Sequence, residues 1–447
     1  MENDSIAVAA EGVHDIVGKH QILDDFGIVM DLQKSSGPYI RDALGKKDYL
    51  DCYTQFASSP IGYNHPKMLE PEFQKRLAAS STNKIANSDV LTAEYAEWVE
   101  TFSKAAGVAS LPHYFWVEGG ALAVENALKA AFDWKGKKNG IAGKRTDENS
   151  MKIIHFAEAF HGRSGYTLSL TNTDPAKTAL FPKFPDWPRI TNPKIAFPLE
   201  GANIETVKAA EEKATEEIIA ACEKFPCEIA ALIIEPIQGE GGDNHFRKEF
   251  FSLLKRLSEE HDFMLIFDEV QTGIGLTGKM WAFQHFGAEP DIVSMGKKIQ
   301  VGGIMAGKRV EENEKNVFSV SSRINSTFGG NLADMVRAAK YLEIVEQERL
   351  VDNAAKVGEG LLVMLAELEE KFTISNVRGK GLMIAFDLPD AKYRDNLYSA
   401  LFENGLLCLK SAQKGIRLRP PLNFSEDEAG MCAGIIEKSL LETRARR

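Results

Sequence analysis

Residues 266–303 read IFDEVQTGIGLTGKMWAFQHFGAEPDIVSMGKKIQVGG. A hydrophobic strand, FMLIF, delivers Asp268 at its C-terminal end, the position where ligands collect in open α/β sheets. A second apolar strand, DIVSM, comes next. Lys297 follows it, twenty-nine residues beyond Asp268, beside Lys298 and ahead of the flexible pair Gly302-Gly303. An acid at one strand end and a lysine after the next strand can converge on one small ligand.

Outward from this stretch, amphipathic helices alternate with short apolar strands. That pattern predicts an α/β architecture, with helices packed on a largely parallel sheet. Strands are expected at Tyr114–Val117, Lys152–Phe156, Ala231–Ile234 and Met264–Phe267, with weaker ones at Ile292–Met295 and Gly303–Met305. Tyr95, Trp98, Val99 and Phe102 recur at helical spacing, and Gly107 is the expected C-terminal cap. Phe250, Phe251, Leu254 and Leu257 form a second such stripe. From about Leu332 the pattern changes to two long helical segments and a shorter mixed region containing GLMIAFDL and GIRLRPPL, with Ser425 and Glu428 as a capping box opening the last helix. The expected organisation is a segment over 1–60 that completes the smaller domain or forms an arm, a large domain over 61–330 and a smaller α+β domain over 331–447.

The 447 residues carry a net charge of −11 and are 44% apolar, the usage of an ordinary globular enzyme. An acidic chain repels phosphate backbones and anionic lipid, so nucleic acid and membranes are not expected partners. No apolar run approaches the roughly 18 to 20 residues of a membrane span. The acidic N-terminus does not read as a signal peptide, and a cytoplasmic location is expected. Five cysteines without CxxC or His-paired spacing read as reduced core thiols, and no metal site is expected.

The lysine and the acid match what pyridoxal phosphate requires. A lysine amine forms a Schiff base, and a carboxylate keeps the pyridine nitrogen protonated. Spacing alone leaves ordinary readings open, since strand-end Asp residues often serve turns and lysines often lie on surfaces. The stretch FWVEGGALAVENALKAAFDW supplies a phosphate half: an aromatic strand ends at Gly119-Gly120 and a helix begins at once. Backbone N–H groups at such a start, with the helix dipole behind them, bind phosphate. Gly120 and Ala121 are the expected donors.

HFAEAFHGRSGYTLSLTN, ALIIEPIQGEGG, IFDEVQTGIGLTGKM, PDIVSMGKK, NSTFGGN and IRLRPPL stand in this order over nearly the whole chain. Together they resemble the class III (omega) aminotransferases. VEGGALAVENALK, FHGRSGYTLSLTN and GKKIQVGG are most similar to members that act on the ε-amine of L-lysine, although ornithine, 4-aminobutyrate and diamine aminotransferases share the framework. The resemblance implies a fold type I pyridoxal phosphate enzyme, with a large domain on a mixed, mostly parallel sheet and a smaller α+β domain. It also implies a homodimer with shared sites, and L-lysine and 2-oxoglutarate as substrates. By motif, Lys297 is the Schiff-base lysine, Asp268 the pyridinium partner, Gln271 the residue beside the cofactor's phenolic oxygen, and Phe160 the aromatic over the ring. Thr327 matches the hydroxyl that reaches the partner subunit's phosphate. Arg163 would take the distal carboxylate of either substrate and Arg417 the proximal one, with Glu240 neutralising Arg417 when lysine is bound. Arg419 competes with Arg417 for that role. Two departures stand out: Glu118-Gly119-Gly120 replaces the commoner Asn-Ser-Gly, and Gln300-Val301 replaces Gly-rich sequence after the lysine.

Overall fold

The computed structural model describes residues 8–144 and 150–445. Its largest sheet has seven strands in the order His113–Val117, Gly302–Ala306, Ile292–Met295, Met264–Asp268, Ile229–Ile234, Lys152–Phe156, Arg189–Ile190. Gly302–Ala306 pairs antiparallel with both of its neighbours, while the other pairings in the sheet are parallel. The six expected strands are present, each within two residues of its predicted ends.

These strands read as unbroken apolar runs because both faces of the sheet are covered. Alternation along the strand divides them: Leu265 and Phe267 join one core cluster, and Met264 and Ile266 the other. Helix Lys248–Glu260 covers the first face with Phe250, Phe251, Leu254 and Leu257, and the rings of Phe251 and Phe267 meet edge-on at 5.5 Å. Helix Gly120–Ile141 covers the second with Val124, Ala127, Leu128 and Ala131. Each large side chain buried in this way contributes roughly 1.5–3 kcal/mol.

Helices Leu332–Gln347 and Leu350–Lys371 lead into a four-stranded antiparallel sheet that contains Met383–Asp387 and Gly415–Leu418. The capping box forms: Ser425 N donates to Glu428 at 2.8 Å, and Glu428 N to Ser425 Oγ at 3.2 Å. Strand Asp48–Asp51 pairs with Tyr39–Arg41 and, in parallel, with Leu406–Leu407, so the first sixty residues are tied by main-chain bonds to the far end of the chain. Met30 makes a single bridge to Asp42. Gly107 is not the cap that the pattern suggested. Helix Ala93–Ala105 ends on Ala106, and Gly107 is needed because a Cβ there would lie 2.4 Å from the Ser103 carbonyl oxygen.

Candidate active site

Five neighbouring parallel strands end on one edge of the large sheet, and the chemical residues stand past four of those ends. Asp268 closes its strand in register with Ser294, which puts Lys297, two residues beyond Met295, on the same edge. Ile234 is in register with Phe267, which brings Glu235 beside Asp268. Asp268 accepts from His161 Nδ1 at 2.8 Å and from Val270 N at 3.0 Å, while the buried His161 Nε2 has no partner among the described residues. Glu235 accepts from Phe160 N at 2.9 Å and Gly239 N at 3.0 Å. Burial raises Glu235 to about 7; His161 opposes the rise and Asp268 adds to it.

Lys297 adopts φ 52°, left-handed backbone that side-chain-bearing residues rarely take. Burial lowers its amine to about 8, and Arg417 adds to that fall against the attraction of Glu235 and Asp268. Lys298 turns elsewhere, donating to the carbonyls of Gln271 at 2.6 Å and Ala57 at 3.3 Å.

The helix start is built around glycine. Gly119 has φ 89°, and no side chain caps the helix that follows. A Cβ on Gly120 would lie 2.6 Å from Val270 Cγ1, and one on Gly296 would lie 3.1 Å from Gly120 Cα. The turn that carries Lys297 therefore packs directly on the uncapped N–H groups of the helix. A Cβ on Gly162 would meet that of Ala121 at 2.7 Å, which ties the Phe160-His161 loop to the same point. Glu118 turns outward to Lys84 at 2.8 Å.

A carboxylate-handling group lies across from the lysine. Arg417 is buried and donates through Nη2 to Glu240 at 2.9 Å, yet its Nε and Nη1 are buried without partners. Glu240 also accepts from Lys177, whose Nζ stands 6.0 Å from the centre of the Phe160 ring. Burial favours the neutral acid, but Arg417 and Lys177 together lower Glu240 to about 2. Arg419 has other partners: it pairs with Asp243 and donates to Gln271 Oε1 at 3.2 and 3.1 Å. The competition between the two arginines for Glu240 is thus resolved in favour of Arg417. Arg163 and Thr327 are exposed, and Arg163 makes no hydrogen bond or ion pair among the described residues. Sequence reasoning missed His161, Glu235, Lys177 and Asp243; the first two adjoin motif residues, whereas nothing local marks Lys177. A separate cleft of about 620 Å³, lined in part by Phe132, Tyr166, Phe184 and Trp187, contains none of these site residues.

The sequence pattern of the family Aminotransferase class-III matches residues 24–440. The chain is a class-III aminotransferase. This aminotransferase is 47% identical over 431 residues to the L-lysine-epsilon aminotransferase of Mycobacterium tuberculosis, covering 96% of this chain and 95% of that one. It is 47% identical to the same-named enzyme of Amycolatopsis lactamdurans, over 94% and 93% of the two chains. Identity to the human mitochondrial 4-aminobutyrate aminotransferase is 31%, over 92% and 84%. The solved lysine aminotransferase of M. tuberculosis, in its internal aldimine form, superposes with a TM-score of 0.94 at 46% identity, covering 98% of this aminotransferase and 100% of that chain. Among the described residues, no helix of the aminotransferase is long and apolar enough to cross a membrane, and no cluster of three or more His, Cys, Asp or Glu could hold a metal.

Proposed function

We propose that this chain is an L-lysine 6-aminotransferase that moves the ε-amino group of L-lysine to 2-oxoglutarate, giving 2-aminoadipate 6-semialdehyde and L-glutamate. One observation carries the two-substrate reading: a buried arginine whose two free N–H-bearing nitrogens await a carboxylate while a carboxylate of the chain covers the third. The choice of lysine is supported by the identity to lysine aminotransferases, which exceeds that to the 4-aminobutyrate enzyme.

The residues fit pyridoxal 5′-phosphate. Lys297 has a buried amine with a lowered pKa, Asp268 a carboxylate fixed by His161, and Gly120 and Ala121 stand at a helix start with no side-chain cap. Phe160 would cover one face of the ring and Gln271 would stand beside its phenolic oxygen. When bound, the cofactor supplies an electron sink for the carbon that loses its amine. Asp268 holds the proton on the ring nitrogen. Lys297, with its amine lowered toward neutrality, would take a proton from the substrate carbon and deliver it to C4′ of the bound cofactor.

Lysine presents only CH₂ groups beside its reacting Cε, so Glu240 stays on Arg417 and no buried guanidinium is left bare. The carboxylate adjoining the reacting carbon of 2-oxoglutarate pairs with Arg417 through Nη2 together with a free neighbouring nitrogen, and Glu240, which holds Nη2, turns aside. Arg163, exposed and without a partner among the described residues, would hold the distal carboxylate in both cases through a bidentate pair. Exposed Thr327 would reach the phosphate of a second copy, which supports reading the working unit as a homodimer.

A panel of amine donors assayed with 2-oxoglutarate, with glutamate and the cyclised aldehyde both quantified, tests this assignment. Lysine is expected to be the best donor with one glutamate formed per turnover, and a clear preference for ornithine or 4-aminobutyrate would overturn it.

A further inference from the structure

Lys177 has no place in the scheme above, yet it shares Glu240 with Arg417. It projects from the short helix Pro175–Thr178, whose first turn is fixed by Asp174 accepting from Ala176 N at 2.9 Å. Its Nζ pairs with Glu240 Oε1, while Arg417 Nη2 holds Oε2. The two cations differ in exposure: the Arg417 side chain is 5% exposed and that of Lys177 is 31%. A carboxylate gripped between an inner and an outer cation has somewhere to go when the inner one is claimed.

We infer that Lys177 is the positioning residue that receives Glu240 when Arg417 turns to the acceptor's carboxylate, and that it thereby tunes the choice between amine donor and keto-acid acceptor. The inference rests on the two-substrate reading above and adds the second resting place that reading lacks. Without Lys177, release of Glu240 from Arg417 would strand a partly buried carboxylate, and the freed Oε1 could join Oε2 on the guanidinium. Both effects favour the Arg417-bound state. A ligand shifts such an equilibrium only by its differential affinity, so the acceptor would have to supply what Lys177 no longer does.

The test uses the cofactor-loaded enzyme and the variant Lys177→Met, which keeps the stem and removes the charge. The KM for 2-oxoglutarate is expected to rise about three- to fivefold, the size typical of a half-exposed ion pair. The lysine KM should stay level or fall, and Lys177→Arg should restore the wild-type ratio. In a Glu240→Ala background, Lys177→Met should leave the acceptor KM unmoved. Equal changes for both substrates would overturn the inference, as would an acceptor effect that persists without Glu240, since that would mean direct contact with substrate. The acceptor arm can be read with any donor the enzyme accepts, so loss of the lysine assignment would be told apart from loss of the role of Lys177. A wild-type enzyme that forms no glutamate would overturn the two-substrate reading and this inference with it.

Discussion

Lys297 joins two features that work against stability: a left-handed backbone, which costs roughly 1–3 kcal/mol at a side-chain-bearing residue, and an amine whose pKa is lowered to about 8. Its ordinary value is 10.5, so the unfolded chain binds the extra proton between pH 8 and 10.5 and the folded chain does not. The contribution to stability is complete above pH 10.5 and is lost as pH falls through about 8. Lys297→Ala should therefore abolish turnover, by at least about 10³-fold, and also remove the visible absorbance of cofactor-loaded protein. The same change should make the cofactor-free protein more stable at pH 7, by about 1 to 3 kcal/mol, a gain that disappears at pH 10.5. Urea unfolding at the two pH values checks the second half, and a variant less stable at pH 7 would mean that the lysine is well solvated. At this scale the sequence was informative where residue type and strand-end spacing coincide, as for Asp268 and Lys297. It was silent on Lys177, whose partner lies sixty-three residues away and is set by tertiary folding alone.

The helix Gly120–Ile141 and the turn after Ile292–Met295 meet through glycines, and that contact positions the expected phosphate donors against the lysine. Gly120→Ala would press a methyl group to 2.6 Å from Val270 Cγ1, an overpacking that typically costs about 1–3 kcal/mol. The variant should bind pyridoxal phosphate about tenfold more weakly, with Val270→Ala restoring most of the affinity by removing the clashing methyl. Absorbance titration of stripped protein decides this, and a double variant no better than the single would show that the contact is not the cause. The legibility of the elements follows from the same packing. Strands buried on both faces leave apolar runs that are easy to place, so Ile292–Met295 and Met264–Asp268 could be read almost to the residue. The reversed direction of Gly302–Ala306 could not, because direction leaves no period in a run of five buried residues. Nor could the pairing of Asp48–Asp51 with Leu406–Leu407, which is too short to carry a pattern.

Across the whole molecule, buried titratable groups set the acid limit. Burial lowers His155 and His245 to about 3, with Arg189 adding to the first and Arg378 to the second. Each is protonated below 6.5 when unfolded, so the stability it contributes is present above 6.5 and is lost as pH falls toward 3. Glu240, lowered to about 2, acts in the same sense from 4.5 downward. Glu235 and Glu269, both raised to about 7 by burial, act oppositely: their contribution is complete below 4.5 and is lost as pH rises to 7. The two histidines and the two glutamates nearly cancel between about 4.5 and 6.5, and below 4.5 the histidines are unopposed. The thermal midpoint should therefore be level near pH 5 to 6 and drop by about 2 °C between pH 5.5 and 4. His245→Asn should lessen that drop and leave the share of His155 and Glu240, because its side chain does not titrate. A midpoint that holds steady down to pH 4 in the unaltered enzyme would show that His155 and His245 take up protons in the folded state and would overturn this account.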